Sequence, residues 1–320
     1  MSRLMLTGTL VLLAVATVIS LFASGNRAQS FPSNKTEAPT DRLSDEFRLG
    51  EVAHTVTKLR RVHTTSTDTM IPSTAKSLLK TLKHQLIELI ANRLYSENAD
   101  ASVQQLQAIL IENLRRVGVI VTEPICEVIN QQNVDLGYDY GAVYDITIKR
   151  PQSCSDLLTV TTTLGVPCGS DTSLYIFKYE NNDWRLKVSC EVNDYADISG
   201  VQGRFAYGIS WPREDGQFFI VTASVNPWCS SNWQAITYRA LRPGGTPEKP
   251  QVLLSKTQTI WLGDEPAYRL DVHNQSFTLS FHDEKYLELL NNGQDLSIDD
   301  PNGMRIIKYE VDEDSVKQKD

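Results

Sequence analysis

The sequence predicts an α+β chain that is mainly β: an N-terminal helical hairpin followed by repeated four-stranded antiparallel β-meanders, stacked as in a partial propeller or, alternatively, paired as a β-sandwich. Three observations carry this reading. Apolar residues recur at helical spacing between residues 73 and 118. From residue 119 that periodicity gives way to short β-rich runs separated by Gly, Pro, Asn and Asp. Those runs repeat at an interval of 61 residues.

The chain opens with Arg3 and then an uncharged run, Leu4 to Phe22, ending in Ala23-Ser24-Gly25. A positive charge, an apolar stretch and a small-residue exit make an export signal. The run is also long enough for an uncleaved N-terminal anchor. The expected location is therefore extracytoplasmic, either periplasmic or secreted. Residues 1–25 form this segment, and residues 26–42, polar and containing Pro32 and Pro39, read as a flexible linker. Asn34 and Asn274 begin glycosylation sequons.

Residues 43–118 read as helical. A first helix over 43–61 has the weakest pattern. A second opens at Pro72-Ser73, with Ser73 as its N-cap, and lines Leu79, Leu82, Leu86, Ile90 and Leu94 along one face. A third starts near Asp100, and Gly118 closes it. The short link at 96–99 predicts that the second and third helices form the hairpin.

Residues 119–320 read as the β-rich repeat domain. Predicted strands fall at 143–149, 157–164, 173–179, 184–191, 205–211, 218–225, 234–241 and 251–254, then at 268–272, 276–281 and 304–311. A shift of 61 residues lays 144–179 on 205–240 without a gap. It places Ile148 on Ile209, Pro151 on Pro212, Val160 on Val221 and Cys168 on Cys229. A third copy follows from Tyr268, with Ile307-Lys308-Tyr309-Glu310 echoing Phe177-Lys178-Tyr179-Glu180. Repeats of this size suit stacked four-stranded units.

Trp211-Pro212-Arg213-Glu214-Asp215-Gly216-Gln217-Phe218-Phe219-Ile220-Val221-Thr222, with Ile236 to Leu241 and Gly244-Gly245 after it, resembles the repeat of Tol-associated β-propellers. The match spans one unit, Trp211 to Gly245, and implies a blade-like meander there. Pro227-Trp228-Cys229 is similar to a stretch in uncharacterised exported bacterial proteins, which bring no known activity.

Composition narrows the function classes. With 31 Lys and Arg against 39 Asp and Glu, the formal charge is -8, which disfavours nucleic acid as a partner. The five cysteines contain no Cys-x-x-Cys pair, so no redox motif or zinc site is expected. In an oxidising compartment they favour long-range bridging, with Cys168–Cys190 the expected bond. Cys154 and Cys168 bracket an extended strand and stand too far apart to pair directly. No nucleophile elbow, zinc helix or phosphate loop occurs, so neither a metal nor a cofactor is expected. Ser73-Thr74-Ala75-Lys76 matches an S-x-x-K serine site but lacks its Lys-Thr-Gly partner. His282-Asp283-Glu284 and Asp295, Ser297, Asp299 and Asp300 read as polar turns.

Trp228 and Trp233 remain as candidate ligand-binding residues, set in a loop otherwise made of Ser, Asn and Cys229. Indoles beside small polar groups suit a sugar ring or a protein partner. The expected function is thus an exported, non-enzymatic interaction module for an unknown protein or glycan, touching membrane only through an uncleaved N-terminal segment. The alternative is a periplasmic or secreted hydrolase of glycans or peptides built on loop carboxylates.

Overall fold

The computed structural model describes residues 39–64, 71–95, 97, 102–120, 139–152, 154–167, 169–192, 204–225, 233–261, 268–293, 304–313 and 315–319. The expected export segment, Asn34 of the first sequon, Cys126, Cys168, Trp228, Cys229 and residues 295–300 lie outside this set. Three helices come first: α1 (Pro39–Leu59), α2 (Ser73–Tyr95) and α3 (Val103–Arg116). Twelve strands follow in three four-stranded antiparallel sheets. The first holds β1 (Val143–Lys149), β2 (Leu157–Val166), β3 (Gly169–Glu180) and β4 (Asp183–Cys190). The second holds β5 (Arg204–Ile209), β6 (Ile220–Val225), β7 (Trp233–Thr246) and β8 (Lys249–Trp261). The third holds β9 (Tyr268–Val272), β10 (Ser276–His282), β11 (Met304–Val311) and β12 (Val316–Lys319), with α4 (Glu284–Asn291) inserted between β10 and β11. Each sheet is a meander in which sequence neighbours pair. No closed barrel or propeller is formed by the described residues.

The helix ends follow from local chemistry. Ser102 accepts from Gln105 N at 3.4 Å and caps α3. At the other end Gly118 takes φ +73, so Val119 N reaches Leu114 O and Gly118 N reaches Arg115 O, both at 2.9 Å. This is the Schellman arrangement that a glycine permits. At α2 the first turn closes from Lys76 N to Pro72 O at 3.0 Å. That makes Pro72 the cap and moves Ser73 one place inside the helix, where it is exposed. The expected hairpin of α2 with α3 is not confirmed. Asp45 meets Asn92 and Arg93 while Arg48 meets Glu88, so α2 runs alongside α1 in the opposite sense. α3 instead lies against β1, where its Gln107 Oε1 accepts from Ile148 N at 2.8 Å and satisfies a sheet-edge amide.

The layers are defined by which side chains share a core. Ile146, Val160, Leu164, Tyr175 and Phe177 point from the first sheet into the helices. The alternate residues Leu157, Leu174, Ile176 and Val188 meet Phe218 and Ile220 of the second sheet. Phe219, Val221, Ala223, Ile236 and Tyr238 then meet Phe277, Leu279, Ile307 and Tyr309 of the third. The order is therefore helices, first sheet, second sheet, third sheet, each strand using its period of two to serve two neighbours. Hydroxyls join the layers as well: Thr159 Oγ1 lies 2.9 Å from Tyr207 Oη, and Tyr238 Oη 2.8 Å from Tyr309 Oη.

The first and second sheets share strand order, yet the gapless 61-residue correspondence does not survive in the pairing. Ile148 pairs with Val160, but Ile209 pairs with Ile220. Val160 pairs with Tyr175, whereas Val221 pairs with Ala240 rather than with Ile236. The difference arises at the turns, since Val166 and Gly169 close β2–β3 tightly while β6–β7 closes from Val225 to Ile236. Gly244-Gly245, read as a turn, lies within β7, and the turn falls at Pro247-Glu248. The Asn181-Asn182 turn of β3–β4 has φ values of 54 and 63, as a two-residue primed hairpin requires.

Two contacts set the spacing of the layers. A Cβ on Gly208 of β5 would lie 2.8 Å from Val272 Cβ of β9, so a side chain there has no room. Gly208→Ala is expected to destabilise by about 1–3 kcal/mol, with part of the loss recovered when Val272→Ala is added. Urea melts of the single and double variants check this; equal stability of Gly208→Ala and the parent would refute the close packing. The second contact is the ion pair of Lys83 on α2 with Asp171 on β3, at 2.6 Å and 1% and 0% exposed. Lys83 also donates to Val192 O at 2.9 Å. Lys83→Met leaves a buried carboxylate uncompensated and is expected to cost about 3–5 kcal/mol. Lys83→Met with Asp171→Leu removes both charges and is expected to regain most of it, which thermal denaturation measures.

Candidate functional site: the tryptophan end of the second sheet

The two side-chain clusters with the most chemistry lie at different depths. The deeper one surrounds Lys83 and Asp171. Along β3, Asp171, Ser173 and Tyr175 share the helix-facing side, all three at 0% exposure. Tyr175 donates to Glu191 Oε1 at 2.8 Å, and Ser189 bonds the same oxygen at 3.3 Å. Burial, then the Glu191 charge, pushes the Tyr175 hydroxyl well above its usual range. Lys83, Asp171, Ser173 and Tyr175 are enclosed, while Ser189 and Glu191 are partly exposed. The cluster ties α2, β3 and the end of β4.

The other cluster is at the surface. Trp233, the first residue of β7, pairs across the ladder with Trp261, the last residue of β8. Their ring centroids are 5.2 Å apart at 69°, an edge-to-face contact. Both indoles are half-buried. Ile236, Tyr238 and Ala240 point toward the third sheet. Trp233 and the other odd-numbered residues of β7 therefore point to the opposite face. On β8 their partners are Thr259, Thr257 and Ser255, facing Ala235, Thr237 and Arg239. Ser255, Thr257, Thr259 and Arg239 are exposed, and Thr237 Oγ1 and Thr257 Oγ1 lie 3.0 Å apart. A hydroxyl ladder thus leads from the two indoles to one guanidinium.

Of the expected binding residues, Trp233 stands in this cluster, and Trp228 lies outside the described residues. The expected Cys168–Cys190 bond also involves an undescribed residue. Cys190 ends β4, and desolvation pushes its thiol up to about 12, with the Arg239 charge pulling the other way. Burial and Asp156 raise Cys154 to about 11. His282 is not in a solvated turn: it is 1% exposed, while Asp283 accepts from Lys285 N at 3.0 Å at the start of α4. Among the described residues no group of three or more His, Cys, Asp or Glu is placed to hold a metal, and no helix is long and apolar enough to cross a membrane. Trp211, 55% exposed, sits beyond Ile209 at the opposite end of the second sheet from Trp233.

No family model, no curated protein and no solved structure matches this chain. Thr257, Thr259 and Trp261 were not singled out in the sequence, because β8 was read as ending at residue 254. The signal was there: Ser255, Thr257, Thr259 and Trp261 alternate with Lys256, Gln258 and Ile260 at the strand period of two.

At pH 8 a thiol of pKa near 12 holds only a trace of thiolate, the reactive form. In the reduced native protein, Cys190 is therefore expected to be alkylated by iodoacetamide far more slowly than in urea, as peptide mass spectrometry measures. Equal rates in the two states would contradict the burial of Cys190.

Proposed function

We propose that this chain is an exported, non-enzymatic binding module whose helices and β-layers form a rigid scaffold presenting the Trp233–Trp261 end of the second sheet to a ligand. On this reading the three sheets are an open stack of blades, akin to part of a Tol-associated propeller. The observation that carries the proposal is the paired, half-buried indoles beside an exposed row of hydroxyls on one regular sheet face. A scaffold holds such a face ready, so little ordering entropy is lost on binding. Aromatic anchors of this kind dominate binding energies, whereas their neighbours add shape. Among the described residues, the polar groups on this face are the hydroxyls of Ser255, Thr237, Thr257 and Thr259 and the Arg239 guanidinium.

The test compares the purified protein with its Trp233→Ala variant. Ligands are captured from a glycan and peptide panel, and turnover of the same panel is followed by mass spectrometry. Trp233→Ala is expected to weaken capture about tenfold or more, to shift the melting temperature by only a few degrees, and to leave every panel member uncleaved. Turnover by the parent protein would overturn the non-enzymatic reading. Capture that is indifferent to Trp233→Ala would move the site elsewhere.

A further inference from the structure

We infer that the face of β7 and β8 binds an acidic oligosaccharide laid along the strands, from the Trp233–Trp261 pair to Arg239; this rests on the binding-module reading and names its ligand class. Three features of the face select that class. The half-buried indole pair offers an apolar ring surface, which suits the C–H face of a sugar ring. Next along the strands come Thr259 and then Thr237 with Thr257, whose hydroxyls both donate and accept and so match a hydroxyl-rich chain. The last row, Arg239 opposite Ser255, brings an exposed guanidinium, the side chain best shaped to take a carboxylate with two parallel hydrogen bonds.

Charge decides between a neutral and an acidic chain. The four cross-strand rows carry one cation and no carboxylate, although Asp and Glu outnumber Lys and Arg by 39 to 31 over the whole sequence. Along these rows an anionic ligand meets a cation and no carboxylate, which spares it the repulsion of the acidic side chains that predominate in the sequence as a whole. Length decides between a single sugar and an oligomer. Trp233 and Arg239 are six residues apart on one strand, so the two ends of the face are separated by about 20 Å. That span exceeds one ring and accommodates several. Proteins and peptides are served less well, because the described rows between the indoles and Arg239 present hydroxyls rather than the apolar side chains that desolvate a protein anchor.

The probes are tetragalacturonate, which is acidic, and cellotetraose, which is neutral. Binding is followed by tryptophan fluorescence and by calorimetry on the full chain. Tetragalacturonate is expected to bind, to weaken about tenfold with Trp261→Ala and about fivefold with Arg239→Gln, and to lose affinity as salt rises. Thr257→Glu, an exposed change, is expected to weaken tetragalacturonate while leaving the melting temperature in place. Equal affinity for cellotetraose would overturn the acidic assignment. Binding unaffected by Trp261→Ala, Arg239→Gln and Thr257→Glu would overturn the placement. Binding of neither probe, with Trp233-dependent capture of a panel peptide retained, would refute the glycan and leave the module reading standing. Cleavage of tetragalacturonate would do the reverse.

Discussion

The Lys83–Asp171 pair is the constraint on which the stack is built. An amphipathic helix on an apolar sheet face has several rotations and translations of similar energy, because apolar contact has no direction. A buried ammonium and carboxylate do have direction: with 1% and 0% exposure, each must find the other or remain uncompensated. Since Lys83 also reaches Val192 O, one helix position satisfies both β3 and the chain leaving β4. Arg60 then fixes the end of α1 by donating to Gly141 O, Gly118 O and Val119 O, which ties the helical layer to the entry of β1. With the helices seated, one face of the first sheet is closed, and its other face is free to take the second sheet.

From there each interface is set by what faces what. The first and second sheets meet through Leu157, Leu174, Ile176, Val188, Phe218 and Ile220 and the Thr159–Tyr207 bond, the second and third through a mixed aliphatic and aromatic core and the Tyr238–Tyr309 bond. Arg213 and Arg242 donate to Val311 O and Asp312 O, which holds the third sheet by its backbone. The stack ends where this pattern ends. On the outer side of β11, Lys308 and Glu310 are exposed and alternate with buried Ile307 and Tyr309. Laying another sheet on this side would bury Lys308 and Glu310, a cost that the apolar surface of Ile306, 48% exposed, offsets only in part.

Much of the architecture was legible in the sequence, and the failures share a cause. Gly118 announced a helix end, and strands at 143–149, 268–272 and 304–311 were placed to the residue, because turn residues and alternation are local signals. What local pattern cannot supply is pairing. The 61-residue shift assumed that β6–β7 turns as tightly as β2–β3, and the register shows otherwise. The α2–α3 hairpin was inferred from a short link, yet partners such as Asp45 and Arg93 were 48 residues apart. α4 hid behind the polar opening Asp283-Glu284. Trp233 was singled out with Trp228 as a loop aromatic, while Trp261 became meaningful only through its pairing.

The exposure of the tryptophan face follows from a mismatch in strand length. β4 has 8 residues and spans about 26 Å, whereas β7 and β8 have 14 and 13 and span more than 40 Å. β4 meets the second sheet at its hairpin end, where Ser189 N donates to Pro247 O at 2.8 Å. Tied there, the first sheet lies against β5, β6 and the near part of β7–β8, and the far part of that hairpin keeps Thr257 and Thr259 exposed and Trp233 and Trp261 half-buried. Its reverse side stays apolar and packed, with Ile236 and Ile260 at 0% exposure against the third sheet. A long hairpin anchored on one face and uncovered on the other is held as rigidly as the core while remaining open to solvent. The same overhang that costs the protein a buried sheet face therefore gives it a preformed surface.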